Sequence, residues 1–135
     1  MNKREKIEMA MRLRQEGYNC SQSVLIPFSD ELHYDAESLA IITSALGSGV
    51  GQGELCGVAN ALAIGEGIIN SDSNPEGKKK AMAGARKLCE TFKEPHGGCI
   101  RCVDLKGKCG KTCHELVAQG VSIFYDRLNN PEADD

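Results

Sequence analysis

The chain predicts an all-α fold: a single domain of five or six packed helices with a cysteine- and glycine-rich loop before the last helix. Three observations carry this expectation. Apolar residues recur at helical spacing in every long segment, and no segment sustains the alternation of a strand. Aromatic content is only 4% and tryptophan is absent, leaving a core of Leu, Ile, Val, Ala and Gly that suits closely packed helices. The 135 residues fit one domain over 1–135, with 130–135 expected as a flexible acidic tail. A chain of this size buries roughly 70% of the surface its unfolded form exposes, so it folds without cross-links.

The elements follow in order. Residues 3–16 read as a helix that aligns Ile7, Ala10, Met11 and Arg14 and ends at Gly17. Asn19 is the N-cap of a second helix from Cys20 to about Leu32, with Gln22 as its reciprocal capping partner. Its stripe is Cys20, Val24, Phe28 and Leu32, and Pro27 should kink or break it. Asp35 caps a third helix over 36–46 with Leu39, Ile42 and Leu46 on one face. A glycine loop, Gly47-Ser48-Gly49-Val50-Gly51-Gln52-Gly53, leads to a fourth helix from about Glu54 to Ile69, whose ridge of Cys56, Ala59 and Ala63 admits a close neighbour. Asn74-Pro75 opens a helix to about Phe92, and residues 94–111 read as irregular. Thr112-Cys113-His114-Glu115 then fits a capping box for a last helix to about Leu128, with Cys113, Val117, Gly120, Val121, Phe124 and Leu128 inward.

Charge and hydropathy narrow the function. The net charge of −3 is mixed along the chain, and Lys78-Lys79-Lys80 and the acidic tail read as solvated surface. No aromatic platform or broad basic face accompanies them, so nucleic acid is not the expected partner. No apolar run reaches the ~18 residues of a membrane span, so no membrane insertion is expected. The charged start, Met1-Asn2-Lys3-Arg4-Glu5-Lys6, is unlike a secretory signal, and the expected location is cytoplasmic. There thiols are kept reduced, and clustered cysteines serve metal binding or redox chemistry more often than stapling.

Seven cysteines are therefore the chemical signal, and Cys20, Cys56 and Cys113 each sit where a helix is expected to begin. The free N–H groups and positive dipole end of a first helical turn favour thiolate over thiol. Cys99-x2-Cys102 and Cys109-x3-Cys113 also offer four sulfurs that could wrap one Zn²⁺ or an iron–sulfur cluster. Cys109-x3-Cys113-His114 is one residue longer than a c-type haem attachment motif, and such attachment occurs outside the cytosol, so haem is not expected. The glycine loop ends Gly53-Glu54-Leu55 instead of Gly-Lys-Ser/Thr and follows no strand, which argues against a phosphate cradle. It reads instead as a loop that passes close to Cys56. Cys89 falls on the stripe Met82, Ala85, Cys89 and Phe92 and reads as packing. His33 and His114 read as residues of polar helix faces and His96 as a loop residue.

Gly17-Tyr18-Asn19-Cys20-Ser21-Gln22-Ser23-Val24, Gly51-Gln52-Gly53-Glu54-Leu55-Cys56-Gly57 after the glycine run, and the late Cys102 and Cys113 before an amphipathic helix together resemble the redox-active family named for its cysteine pattern, C-GCAxxG-C-C. The likeness covers nearly the whole chain. The family's four cysteines carry over onto Cys20, Cys56, Cys102 and Cys113, with Cys109 a near competitor for the last place. Its C-G-A-x-x-G becomes Cys56-Gly57-Val58-Ala59-Asn60-Ala61, which loses the second glycine and puts an amide on that turn. Cys89, Cys99 and Cys109 are additions. The resemblance implies a small helical protein whose thiols have a redox role, with a redox or transporter-associated partner, and it supplies no substrate.

Two site expectations follow. In the first, Cys56 or Cys113, its pKa lowered by a helix start, attacks a disulfide or oxidant and another member of Cys20, Cys56, Cys102 and Cys113 resolves the product. Any enzyme of this kind is an oxidoreductase acting through cysteines. In the second, Cys20, Cys56, Cys102 and Cys113, or alternatively Cys99, Cys102, Cys109 and Cys113, hold Zn²⁺ or an iron–sulfur cluster. A third reading, a non-catalytic helical interaction module, accounts for Cys89 and leaves three cysteines at helix starts unexplained. Oligomeric state is open.

Overall fold

Asn2 starts the first helix by local chemistry: its side chain accepts the Glu5 N–H while the Glu5 carboxylate accepts the Asn2 N–H, both at 2.9 Å. In the computed structural model, which describes residues 1–130, this helix is α1 (Lys3–Gln15). Asn19 and Gln22 repeat the reciprocal cap and open α2 (Cys20–Leu25). Pro27 breaks the expected long helix into α2, a 3₁₀ turn over Ile26–Phe28, and α3 (Ser29–Leu32), because proline brings no N–H to the ladder. Asp35 accepts the Ser38 N–H at 2.7 Å to cap α4 (Ala36–Thr43). The remaining helices are α5 (Gly57–Asn70), α6 (Gly77–Lys93), α7 (Cys102–Lys106) and α8 (Cys113–Asn129).

The fold is all-α, with eight α-helices among the described residues where five or six were expected. One extra comes from the break at Pro27. Another is α7, inside the segment expected to be irregular, where fully buried Leu105 anchors a single turn. Three boundaries also move. α4 stops at Thr43, where Thr43 and Ser44 hydroxyls donate to the Leu39 and Ile41 carbonyls, and Ile42, expected inward, is 49% exposed. α5 begins at Gly57, not Glu54, because residues before it pair with another segment. Asn74 and Pro75 form a turn ahead of α6, which starts at Gly77 without a side-chain cap. The expected acidic tail falls at 131–135, outside the described residues, except for Asn130.

α2, α5 and α8 form the centre, with α1 against α8 and α2, and α6 against α5. The expected stripe of Cys20, Val24, Phe28 and Leu32 is buried throughout. Phe28 meets Phe124 of α8 edge-on at 4.9 Å between ring centroids. Close approach depends on small residues: a Cβ at Gly120 would strike Val58 of α5, and one at Gly65 would lie 2.5 Å from the Phe124 ring. Two charged side chains are buried with partners. Lys6 donates to the Pro27 carbonyl at 2.7 Å and pairs with Glu31, while fully buried Glu66 accepts from Arg127 and Asn70, both at 2.6 Å. Among the described residues no helix is long and apolar enough to cross a membrane.

Candidate functional site

Four helix starts carry cysteines. Cys20, Cys102 and Cys113 are the first residues of α2, α7 and α8, and Cys56 is the N-cap of α5. Each start is fixed by backbone chemistry around it. At Cys20, the Asn19 amide also donates to the Ser44 carbonyl at 3.0 Å and Gln22 to the Ala40 carbonyl at 2.9 Å, which ties the head of α2 to α4. At Cys113, Thr112 accepts the Glu115 N–H at 3.1 Å; only this half of the expected capping box forms.

Cys56 and Cys102 are brought side by side by an isolated antiparallel bridge between Leu55 and Arg101, a piece of β geometry that helical periodicity conceals. The Cys56 N–H donates to the Ile100 carbonyl at 3.0 Å and the Cys102 N–H to the Glu54 carbonyl at 2.6 Å. Outside, Arg101 grips Glu54 through two nitrogens at 2.8 and 3.1 Å. Asn60, the amide on this first turn of α5, donates to the carbonyls of Leu55 and Cys56 at 3.0 and 3.3 Å. The expected passage of the glycine loop is sharp: Ser48, Gly49, Val50 and Gly51 all have positive φ, with Val50 at 59°. Gly57 then lets α5 press on α2, since a Cβ there would lie 2.5 Å from the Cys20 sulfur.

The four sulfurs form a graded group. Cys20 and Cys56 are 7% and 3% exposed, whereas Cys102 and Cys113 are half-buried. Cys56 interacts electrostatically with Cys20 and Cys102, and Cys102 with Cys113 and Cys20. Lys106, one turn after Cys102 on α7, interacts with the Cys113 sulfur and also acts on Cys102 and Cys20. Its ammonium is held above its ordinary pKa, first by the charge of Cys113. Lys106 escaped the sequence reading, where its one signal is the four-residue step from Cys102.

Burial corrects the expected activation of Cys56. The Val58 and Ala59 N–H groups do favour its thiolate, as a helix start should, yet desolvation outweighs them and lifts the pKa from 9.0 to about 12. Cys102 is also raised, chiefly by burial, against the opposing pull of Lys106. Cys56 is thus a protonated thiol at neutral pH.

The alternative set splits. Cys99 interacts electrostatically with Cys109, while Cys102 does so with Cys113 and Cys20. All seven cysteines are free thiols, and among the described residues no three His, Cys, Asp or Glu side chains converge tightly enough to hold a metal ion. Cys89 is half-buried against the core, its pKa raised first by burial. His33 and His114 are exposed. His96 is more than a loop residue: its Nε2 lies 2.7 Å from Gln119 Oε1 and its ring sits edge-on to Phe92 at 5.6 Å. Gln119 donates its amide to the Phe92 carbonyl, so its oxygen is free to accept and His96 Nε2 carries the proton.

Neither the curated proteins nor the solved structures hold a match to this chain. One protein-family model, described as "Putative redox-active protein (C_GCAxxG_C_C)", matches residues 18–126, a span that includes all four grouped cysteines. With that model covering most of its length, the chain belongs to the C_GCAxxG_C_C family.

Proposed function

We propose that this protein exchanges a disulfide with a redox partner, with Cys113 as the entry thiol, Cys102 as the resolving thiol and Lys106 as the charge that steadies the reacting sulfur. The observation that carries the reading is the half-buried Cys113 in electrostatic contact with the Lys106 ammonium and with Cys102. A thiolate next to a fixed cation is the form that attacks a disulfide.

The Cys113 thiolate bonds to one sulfur of the partner's disulfide, and the other sulfur leaves as a thiolate. Cys102, deprotonated, then attacks the Cys113 sulfur of the mixed disulfide and expels the partner's second thiolate. The partner gains two electrons and the protein gains a Cys102–Cys113 disulfide; run in reverse with a dithiol donor, the same steps restore both thiols. Cys20 and Cys56 lie behind this pair as buried thiols, and the high pKa of Cys56 keeps it from reacting first.

The test is a thiol count under anaerobic conditions together with metal analysis. The reading expects a colourless protein in which mild oxidation links Cys102 to Cys113, and a failure of that link in Cys113→Ser. About one Zn²⁺ per chain with four thiols unreactive until chelation, or visible iron–sulfur absorbance, overturns it in favour of a metal centre.

A further inference from the structure

Cys99 and Cys109 lie outside the four-cysteine group, and one backbone atom brings them together. The His96 carbonyl accepts the Cys99 N–H at 3.2 Å and the Cys109 S–H at 3.6 Å, and Cys99 interacts electrostatically with Cys109. His96 is itself fixed by Gln119 of α8 and by the Phe92 ring. The Cys109 end is fixed by its N–H to the Asp104 carbonyl at 3.0 Å and by the Lys111 N–H to the Leu105 carbonyl at 2.9 Å. Both thiols are half-buried, open to a small reagent and held on one side by the same carbonyl.

We infer that Cys99 and Cys109 form a second dithiol site, which takes a low-molecular-weight disulfide as oxidant and closes a ring around α7. One thiolate of the pair bonds to a sulfur of the small disulfide and releases the first small thiol; the second cysteine attacks that mixed disulfide and releases the other. The protein loses two electrons, the small disulfide gains them, and the two cysteine protons leave on the two small thiols. The closed ring contains Cys102 and Lys106, so the state of the second site bears on the first.

The proposal goes beyond the Cys102–Cys113 reading and is tested apart from it. Reduced full-length protein is equilibrated anaerobically with glutathione buffers of increasing oxidised fraction, quenched in acid, alkylated and digested with trypsin. Cleavage after Arg101, Lys106, Lys108 and Lys111 puts Cys99, Cys102, Cys109 and Cys113 on separate peptides. A Cys99–Cys109 linked peptide is expected in the native sequence and, undiminished, in Cys102→Ser/Cys113→Ser. Linkage of Cys109 to Cys102 or Cys113 in the native protein, or Cys99 and Cys109 alkylated separately across the whole buffer series, overturns the inference. A Cys99–Cys109 link without a Cys102–Cys113 link supports this site and counts against the other reading alone.

Discussion

Lys106 and Cys56 show opposite ways in which a folded environment sets a thiol. Lys106 supplies charge to a sulfur that solvent reaches, and its loss removes one partly exposed ionic contact. In Lys106→Met, alkylation of Cys113 is expected to slow by about two- to five-fold, the rate equivalent of a contact worth ~0.5–1 kcal/mol; mass-resolved iodoacetamide kinetics measure it. Cys56 answers to burial instead. Below pH 9 the thiol is protonated in both folded and unfolded chains, so it adds no pH dependence. From pH 9 to about 12 the unfolded thiol ionises while the folded one keeps its proton, and stability falls by about 1.4 kcal/mol per pH unit from this group. Denaturant titrations across that interval should show a shallower decline in Cys56→Ala than in the native sequence.

Small residues decide how nearly the elements approach. Gly120 of α8 faces Val58 of α5 with no room for a methyl group. Gly120→Ala should cost about 1–3 kcal/mol by overpacking, read from the urea midpoint, and Val58→Ala in the same chain should return part of that loss. The local devices were legible in the sequence because they act within a few residues: Asn19 with Gln22, Asp35, Thr112 and Pro27 all start or stop helices where they stand. α7 was not legible, since a five-residue helix survives through the burial of Leu105 in a core contributed by the rest of the chain. The bridge between Leu55 and Arg101 was hidden because it pairs single residues far apart in sequence. The four cysteines could be named from their pattern, whereas the depth of each, and with it the reversal at Cys56, depends on neighbours distant in sequence.

Across the molecule, a buried ion pair joins α5 to α8 at the far end of α5 from the thiols. Glu66 is fully buried and Arg127 is its 2.6 Å partner. Arg127→Met leaves a carboxylate without that partner in the core and should destabilise the fold by about 3–5 kcal/mol. Glu66→Gln/Arg127→Met should recover much of it, as thermal melts can show.

The bridge between Leu55 and Arg101 also orders events during synthesis. Cys20 and Cys56 leave the ribosome long before Cys102 and Cys113, and the N–H of Cys56 has no acceptor until Ile100 has been made. A nascent chain released only through α6 therefore lacks the strand partner that seats the Cys56 backbone in the finished protein.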